Sequence, residues 1–335
     1  MQSSSELFPV ALMSAEFRGD LSEDVYRLKP SNSPDFSVEL ALTRLGMADH
    51  GEDRGVPVIL IPGSFSNRRF WYSPKCIGLG PYLARAGFDV WIAEMRGHGL
   101  SPRNLDYNNN TVADYARYDL PAIAAFVREQ SGQAPHWIGH SLGGITLAAA
   151  LGGHYLSEDD VASVALFGSQ VSRVYWPLKI PPVEWGARLL LKGVSVISGS
   201  RLKRGPEDEP VGLMRESLRW HRLFGRFGEG KKNDWWKGLA EVNVPVLAVT
   251  ADGDEQDPAW GCRKLLEQFG SEQRRFICLG KRQGFSDDFG HVEMLVSKHA
   301  QAEVWPLAEH WLRHLRLPAA LEPVEAPAPS VSSLQ

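Results

Sequence analysis

Short apolar runs bounded by glycine and proline alternate along this chain with longer segments whose apolar residues recur at helical spacing. That alternation predicts a mostly parallel sheet covered by helices on both faces. Residues 36–45 (FSVELALTRL) alternate like a half-buried strand, and 56–61 (VPVILI) form the continuous apolar run of a strand buried on both sides. A helix is expected over 74–86, stopped by Gly87, followed by a strand over 88–93 (FDVWIA). The span 112–130 reads as helical, with Pro121 marking a kink or a helix start. A short strand over 136–139, a buried helix over 142–151 and a strand over 161–168 complete this half.

The rhythm breaks between residues 170 and 237, where Pro177, Pro181, Pro182, Gly186, Gly193, Gly199 and Pro206 cut up amphipathic pieces rich in tryptophan and arginine. This stretch reads as an inserted helical lid. The sheet pattern resumes with a strand at 244–250 (VPVLAVT), a helix near 260–269, a strand at 275–279 and a last helix over 300–316. The expected organisation is an N-terminal extension (1–25), a core in two parts (26–169 and 238–317), the lid between them (170–237), and a disordered proline- and serine-rich tail (318–335).

Composition narrows the function. With 335 residues, 43% hydrophobic and 23% charged, the chain can bury enough surface to offset the entropy of ordering it, which excludes disorder throughout. A net charge of -4 gathers no phosphates, so nucleic acid is not an expected partner and small or uncharged substrates fit better. Cys76, Cys262 and Cys278 are too widely spaced for a zinc site or a disulfide framework, which suits a reducing compartment. The first residues carry Glu6 before a short apolar stretch and have no basic leader, and no apolar run is long enough to span a membrane. A cytoplasmic location is the expectation.

The strongest local signal is Gly139-His140-Ser141-Leu142-Gly143-Gly144, a G-x-S-x-G pattern between a predicted strand and a predicted helix. Glycines on either side of the serine permit a sharp, strained turn that lifts the hydroxyl above the sheet edge, at a helix N-terminus where the Leu142 N–H is free to stabilise an oxyanion. A serine is a weak nucleophile without a base, and the base needs an orienting acid. His291, in the loop Asp287-Asp288-Phe289-Gly290-His291, is better placed than His299, His310 or His314, which sit in helical patterns. His310 and His314 share a helix face but lack the further ligands of a metal site. For the acid, Asp252, Asp254 and Asp257 compete after the strand at 244–250. Asp254 is preferred, since Asp252 lies nearer the strand end and Asp257 is placed to cap the following helix.

A second oxyanion donor is expected from the loop Pro62-Gly63-Ser64-Phe65-Ser66-Asn67, with the Ser64 N–H first and Phe65 behind it. The turn Arg96-Gly97-His98-Gly99 reads as structural. Phe65, His140, Trp176 and Trp185 are candidates for substrate contact, the tryptophans belonging with Tyr175, Leu178, Ile180 and Leu189–Leu191 either to an apolar acyl pocket or to the lid's own core. Arg201, Lys203 and Arg204, followed by Glu207, Asp208 and Glu209, read as a solvated charge run.

Taken with Ala86-Gly87-Phe88-Asp89-Val90-Trp91, Arg96-Gly97 and Tyr118-Asp119-Leu120-Pro121-Ala122, the Gly139-His140-Ser141 turn resembles the α/β-hydrolase superfamily, and within it the acid lipase and sterol ester hydrolase branch. The resemblance implies an α/β-hydrolase fold and hydrolysis of carboxylic esters through Ser141, Asp254 and His291. It places Ser64 and Leu142 in the oxyanion hole, with no metal or organic cofactor. The chain departs from that branch in having Pro62-Gly63 where His-Gly is usual and Ala251 where glycine is frequent, and a lysosomal role is not carried over. An acyltransferase using the same acyl-enzyme, or a ligand-binding protein without catalysis, would use the same frame. Ser141 argues against the aspartate and cysteine nucleophiles that other branches use.

Overall fold

In strand β4 (Pro57–Ile61), Val58 and Leu60 face one side of the sheet and Ile59 and Ile61 the other, all of them buried. This is what a period of two requires of a strand covered on both faces. The computed structural model describes residues 3–49, 55–173, 176–230 and 233–322. Strands β1 (Val10–Arg18), β2 (Leu21–Leu28), β3 (Leu40–Met47), β4, β5 (Asp89–Glu94), β6 (His136–His140) and β7 (Ser163–Phe167) come before the inserted segment. A two-stranded ribbon, β8 (Val196–Ile197) and β9 (Glu209–Pro210), lies within it, and β10 (Val246–Ala251) and β11 (Arg274–Leu279) follow it.

Nine of these strands make one sheet in the order β1-β2-β3-β5-β4-β6-β7-β10-β11. The pairs from β5 to β11 are parallel, and those of β1, β2 and β3 antiparallel. Helices α1 (Leu79–Arg85), α2 (Val112–Asp114), α3 (Leu120–Ser131) and α4 (Leu142–Gly152) belong to the first half. One face packs Ile59, Trp91, Trp137 and Val164 against Ile123 and Phe126 of α3 and Leu147 of α4. The other packs Val58, Val90, Ile138 and Leu247 against Leu79 and Leu83 and, from the C-terminal part, Val304, Trp305 and Trp311. These two aliphatic and aromatic layers supply the main folding drive.

Chain order reverses at β4, whose neighbours are β5 on one side and β6 on the other. The loops leaving the carboxyl ends of β4 and β6 therefore diverge and leave a crevice between them, the place where sheets of this kind bind ligands. Both candidate oxyanion donors and Ser141 stand at that crevice.

Three expectations need correction. Residues 1–25 are not a mere extension, because β1 and β2 form the antiparallel edge of the sheet. Their alternation is masked at the outer strand, where Leu12, Met13 and Phe17 are exposed and a register shift between Leu12 and Ser14 interrupts the period. The strand expected from residue 36 begins at Leu40, and Phe36 is exposed. The helix expected over 112–130 is continuous in direction but not in winding: a π-helical turn at Tyr115–Asp119 joins α2 to α3, and Pro121 sits in the first turn of α3, where its missing N–H costs nothing.

The inserted segment carries α5 (Pro181–Lys192), α6 (Val211–His221) and α7 (Trp235–Gly238), and the core resumes with α8 (Ala259–Leu266), α9 (Glu293–Val296) and α10 (Lys298–His314). Among the described residues no helix is long and apolar enough to cross a membrane. Of the expected disordered tail, residues 323–335 lie outside the described residues, as does Tyr175.

Candidate active site

Ser141 connects β6 to α4 with φ 51° and ψ -119°, a conformation that costs a non-glycine residue about 1–3 kcal/mol. The surroundings hold it there: its N–H donates to Phe167 O at 2.8 Å, and its carbonyl accepts from the Ile145 N–H at 3.1 Å and the Ser169 hydroxyl at 3.1 Å. Two residues on, Gly143 has no alternative, since a Cβ there would lie 2.5 Å from Ile61 O. The glycine lets helix α4 start directly against the end of β4. That contact brings the Leu142 N–H, which has no acceptor within the helix, beside the oxyanion loop.

His291 stands over this turn. Its Nδ1 is 2.8 Å from Asp254 Oδ2 and 3.8 Å from Asp257 Oδ2. Asp254 is fixed by accepting the Gln256 and Asp257 N–H groups on its other oxygen, each at 2.9 Å. Asp252 faces away and accepts from the Cys278 thiol at 3.1 Å. Burial pulls the His291 pKa down, but the Asp254 hydrogen bond and charge, with Asp257 behind them, outweigh it and raise the pKa above the usual histidine value. The backbone of His291 is itself positioned: its carbonyl is bonded by His140 Nε2 at 2.9 Å, and the His140 ring is stacked on Phe70 at 4.5 Å. Burial, together with the neighbouring His291, lowers the His140 pKa to about 3, so this ring is neutral and donates from Nε2.

Asp257, one of the competing acids, has a different place. Its Oδ2 accepts the Ser141 hydroxyl at a long 3.5 Å while Oδ1 accepts from Gln170 Nε2 at 2.9 Å. Burial raises its pKa to about 6, against the lowering effects of Gln170 and His291. This carboxylate therefore sits on the serine side of the His291–Asp254 pair.

In the oxyanion loop, Gly63 allows the backbone to pass close to the turn: a Cβ would lie 2.9 Å from His140 Nδ1 and 3.0 Å from Ser141 Cβ. The Phe65 N–H is already engaged, donating to Glu209 Oε1 at 2.5 Å, so of the two candidate donors in this loop it is Ser64, also on the cleft wall, that remains a candidate. Glu209 comes from β9 in the inserted segment and is buried. Its second oxygen meets His98 Nε2 at 3.0 Å, and His98 Nδ1 faces Arg96 O at 3.2 Å. Both partners of the imidazole are acceptors, so both nitrogens donate and His98 is cationic. Burial opposes that charge, but Glu209 overcomes it and lifts the pKa to about 8. The turn at 96–99 is thus more than a turn, and no pattern within the sequence joins His98 to a residue 111 positions away.

The acidic run is not solvated as expected. Glu207 accepts from Asn67 Nδ2 at 2.6 Å and its N–H donates to Phe65 O at 3.0 Å, while Asp208 pairs with Arg103 at 2.9 Å. Together with Glu216, which accepts the Val112 N–H at 2.6 Å, these carboxylates pin the inserted segment to the core.

A cleft of about 530 Å³ opens above Ser141 and His291. Phe65 and His140 line it, with Ile197, Leu202 and Met214 contributed by the inserted segment. Trp176 and Trp185 are not among the lining residues and are 69% and 70% exposed, so the aromatic pieces of the segment divide differently from expectation. The apolar side of α5 turns outward, whereas Trp220, Phe227 and Trp235 stack edge to face at 5.0–5.8 Å on the main core. Their role there is packing.

A model of the alpha/beta hydrolase fold family matches residues 56–185. Lipase member N of Mus musculus is 34% identical over 116 residues, which are 31% of this chain and 29% of the relative. Gastric triacylglycerol lipase of Homo sapiens is 41% identical over 69 residues, 18% of this chain and 17% of the relative. The chain thus matches less than a third of the length of either. Among solved structures, DcsB in complex with a substrate analogue superposes with a TM-score of 0.63 at 15% identity, over 88% of this chain and all of that one (100%), a likeness of fold. With its sheet order, its serine turn and the matched stretch, the chain has the α/β-hydrolase fold.

Proposed function

We propose that this protein hydrolyses carboxylic esters through an acyl-enzyme on Ser141. The observation that carries the reading is the 2.8 Å contact between His291 Nδ1 and Asp254 Oδ2 behind a serine held in a strained strand-to-helix turn. The lipases that match part of the chain support the choice of an ester.

In this reading the Ser141 hydroxyl turns from Asp257 to His291, whose Nε2 takes the proton as Oγ bonds to the ester carbonyl carbon. Asp254 fixes the tautomer with Nδ1–H toward itself and stabilises the imidazolium. The N–H groups of Leu142 and Ser64 receive the oxyanion. Collapse expels the alcohol with the proton from His291, and a water activated by the same nitrogen then releases the acid. The segment 170–237 acts as a cap, and Phe65, Ile197, Leu202 and Met214 offer an apolar wall to the acyl chain.

The test is a panel of esters of increasing acyl length, run with the intact chain and with Ser141→Ala, beside labelling by a fluorophosphonate. Ester turnover that Ser141→Ala abolishes, with the label on Ser141, is expected. Turnover that survives the substitution would overturn the mechanism.

A further inference from the structure

The cleft above Ser141 is cationic on a chain that is anionic overall. Among the described residues, the charged side chains on its wall are Lys203 and Arg204; the nearest carboxylate, Asp257, lies at the floor beside the Ser141 hydroxyl and is bonded to Gln170. In sequence these cations are followed closely by Glu207, Asp208 and Glu209, an arrangement that would neutralise them if the two runs met.

The fold keeps the two runs apart. Glu207 is turned to Asn67, Asp208 to Arg103, and Glu209 to His98 and the Phe65 N–H. Among the described residues neither Lys203 nor Arg204 makes an ion pair, and both are exposed on the cleft side. Their turn is nonetheless ordered: the Arg204 N–H donates to Gly199 O at 2.9 Å and the Lys203 N–H to Ser200 O at 3.2 Å. The Arg204 guanidinium is aimed by a hydrogen bond from Nη1 to Gln256 Oε1 at 2.7 Å, which leaves its other N–H groups to a ligand. Gln256 also lines the cleft, and its carbonyl accepts from Arg173 Nη1 at 2.9 Å, which holds the residue that aims Arg204. The turn is tied to the oxyanion loop through the Glu207 N–H bond to Phe65 O at 3.0 Å, so its distance from Ser141 is set by the fold.

We infer that the ester taken by this cleft carries a carboxylate, held by Lys203 and Arg204 at the far end of an apolar spacer. The inference rests on the ester-hydrolase reading of Ser141 and deepens it. A guanidinium with an open fork and an ammonium beside it suit a carboxylate, and the apolar lining of Leu202, Ile197 and Met214 suits the methylenes between that carboxylate and the ester. The substrate class is the half-ester of a dicarboxylic acid.

The experiment compares p-nitrophenyl half-esters of dicarboxylic acids of four, six and eight carbons with neutral p-nitrophenyl alkanoates of the same chain lengths, on the intact chain. The ratio of kcat/KM, anionic over neutral, is expected to be about five at low salt, the size of two partly exposed charge contacts, and to fall towards one at high ionic strength. In the K203E/R204E double variant the ratio should drop below one, and in K203R it should persist. A ratio at or below one in the intact chain, or one indifferent to both salt and K203E/R204E, overturns the inference while leaving ester hydrolysis standing. No turnover of either series, with no fluorophosphonate on Ser141, overturns the hydrolase reading and this inference with it.

Discussion

The Glu209 carboxylate, carried by the inserted segment, takes the Phe65 N–H at 2.5 Å and His98 at 3.0 Å, so the inserted segment and the loop after β4 are held by one buried side chain. Glu209→Ala releases the loop and leaves the His98 charge buried without its partner. We expect kcat to fall by about 10–100-fold with a smaller change in KM, and stability to fall by about 3–5 kcal/mol. Glu209→Gln keeps an acceptor for Phe65 and lets a neutral His98 accept from the amide, so it should recover most of kcat. Steady-state kinetics on the two variants, with denaturant unfolding, checks both effects; equal losses in kcat from Ala and Gln would count against a role in holding the loop.

His98 also makes stability depend on pH. Its folded pKa, about 8, lies above the ordinary value of about 6.5 for an unfolded histidine. The charged pair therefore contributes about 2 kcal/mol that is fully present below pH 6.5 and is lost as pH rises through 8. The stability gap between the intact protein and Glu209→Gln, measured by urea unfolding at pH 6, 7, 8 and 9, should shrink by about that amount across the series. A gap independent of pH would refute the charged assignment.

The two aspartates around His291 should separate cleanly. Asp254→Asn removes the partner at 2.8 Å and is expected to lower kcat by about 10³–10⁴-fold. Asp257→Asn removes a charge 3.8 Å from the ring and keeps a side-chain oxygen to accept from Gln170 or the Ser141 hydroxyl. His291 must be neutral to accept the serine proton, so activity falls as pH drops through its raised pKa. Without the Asp257 charge that pKa comes down, and the acid limb of kcat/KM should move to lower pH by up to about one unit. Equal losses in kcat from the two substitutions would contradict this division of labour.

Gly63→Ala tests the close approach of the oxyanion loop. The added methyl would meet His140 Nδ1 at 2.9 Å and Ser141 Cβ at 3.0 Å, and the loop is the part free to yield. A displacement of the Ser64 N–H of a few tenths of an ångström should cost at least about tenfold in kcat, with the unfolding midpoint changed little. Full activity in this variant would mean that the loop does not supply the second donor.

Much of this was legible in the sequence because it is local or periodic. The buried strands 57–61, 136–140 and 163–167 announce themselves by continuous apolar runs, and the glycines around Ser141 mark a turn that few other residues permit. Chain order then narrows the base to His291 and the acid to three aspartates. Which aspartate lies nearest the His291 ring was not legible: 2.8 Å for Asp254 against 3.8 Å for Asp257 is a difference set by how the loop after β10 closes. Strand β1 was hidden because apolar Leu12, Met13 and Phe17 are exposed and a register shift interrupts its period, and β2 because it is buried on both faces with Ser22, Glu23 and Asp24 among its residues.

Charges are where sequence adjacency misleads most. Arg201 to Arg204 and Glu207 to Glu209 are neighbours in the chain and read as a run that neutralises itself in water. Folding buries Glu209 against His98 and Phe65, turns Glu207 to Asn67 and Asp208 to Arg103, and leaves Lys203 and Arg204 facing the cleft. The sequence by itself determined the fold class and the strained turn at Ser141, since the first rests on the period of apolar residues along each element and the second on backbone geometry over a few residues. Only the tertiary structure decided which charges are spent and which stay available, because that depends on partners more than a hundred positions away, brought within 3 Å by burial.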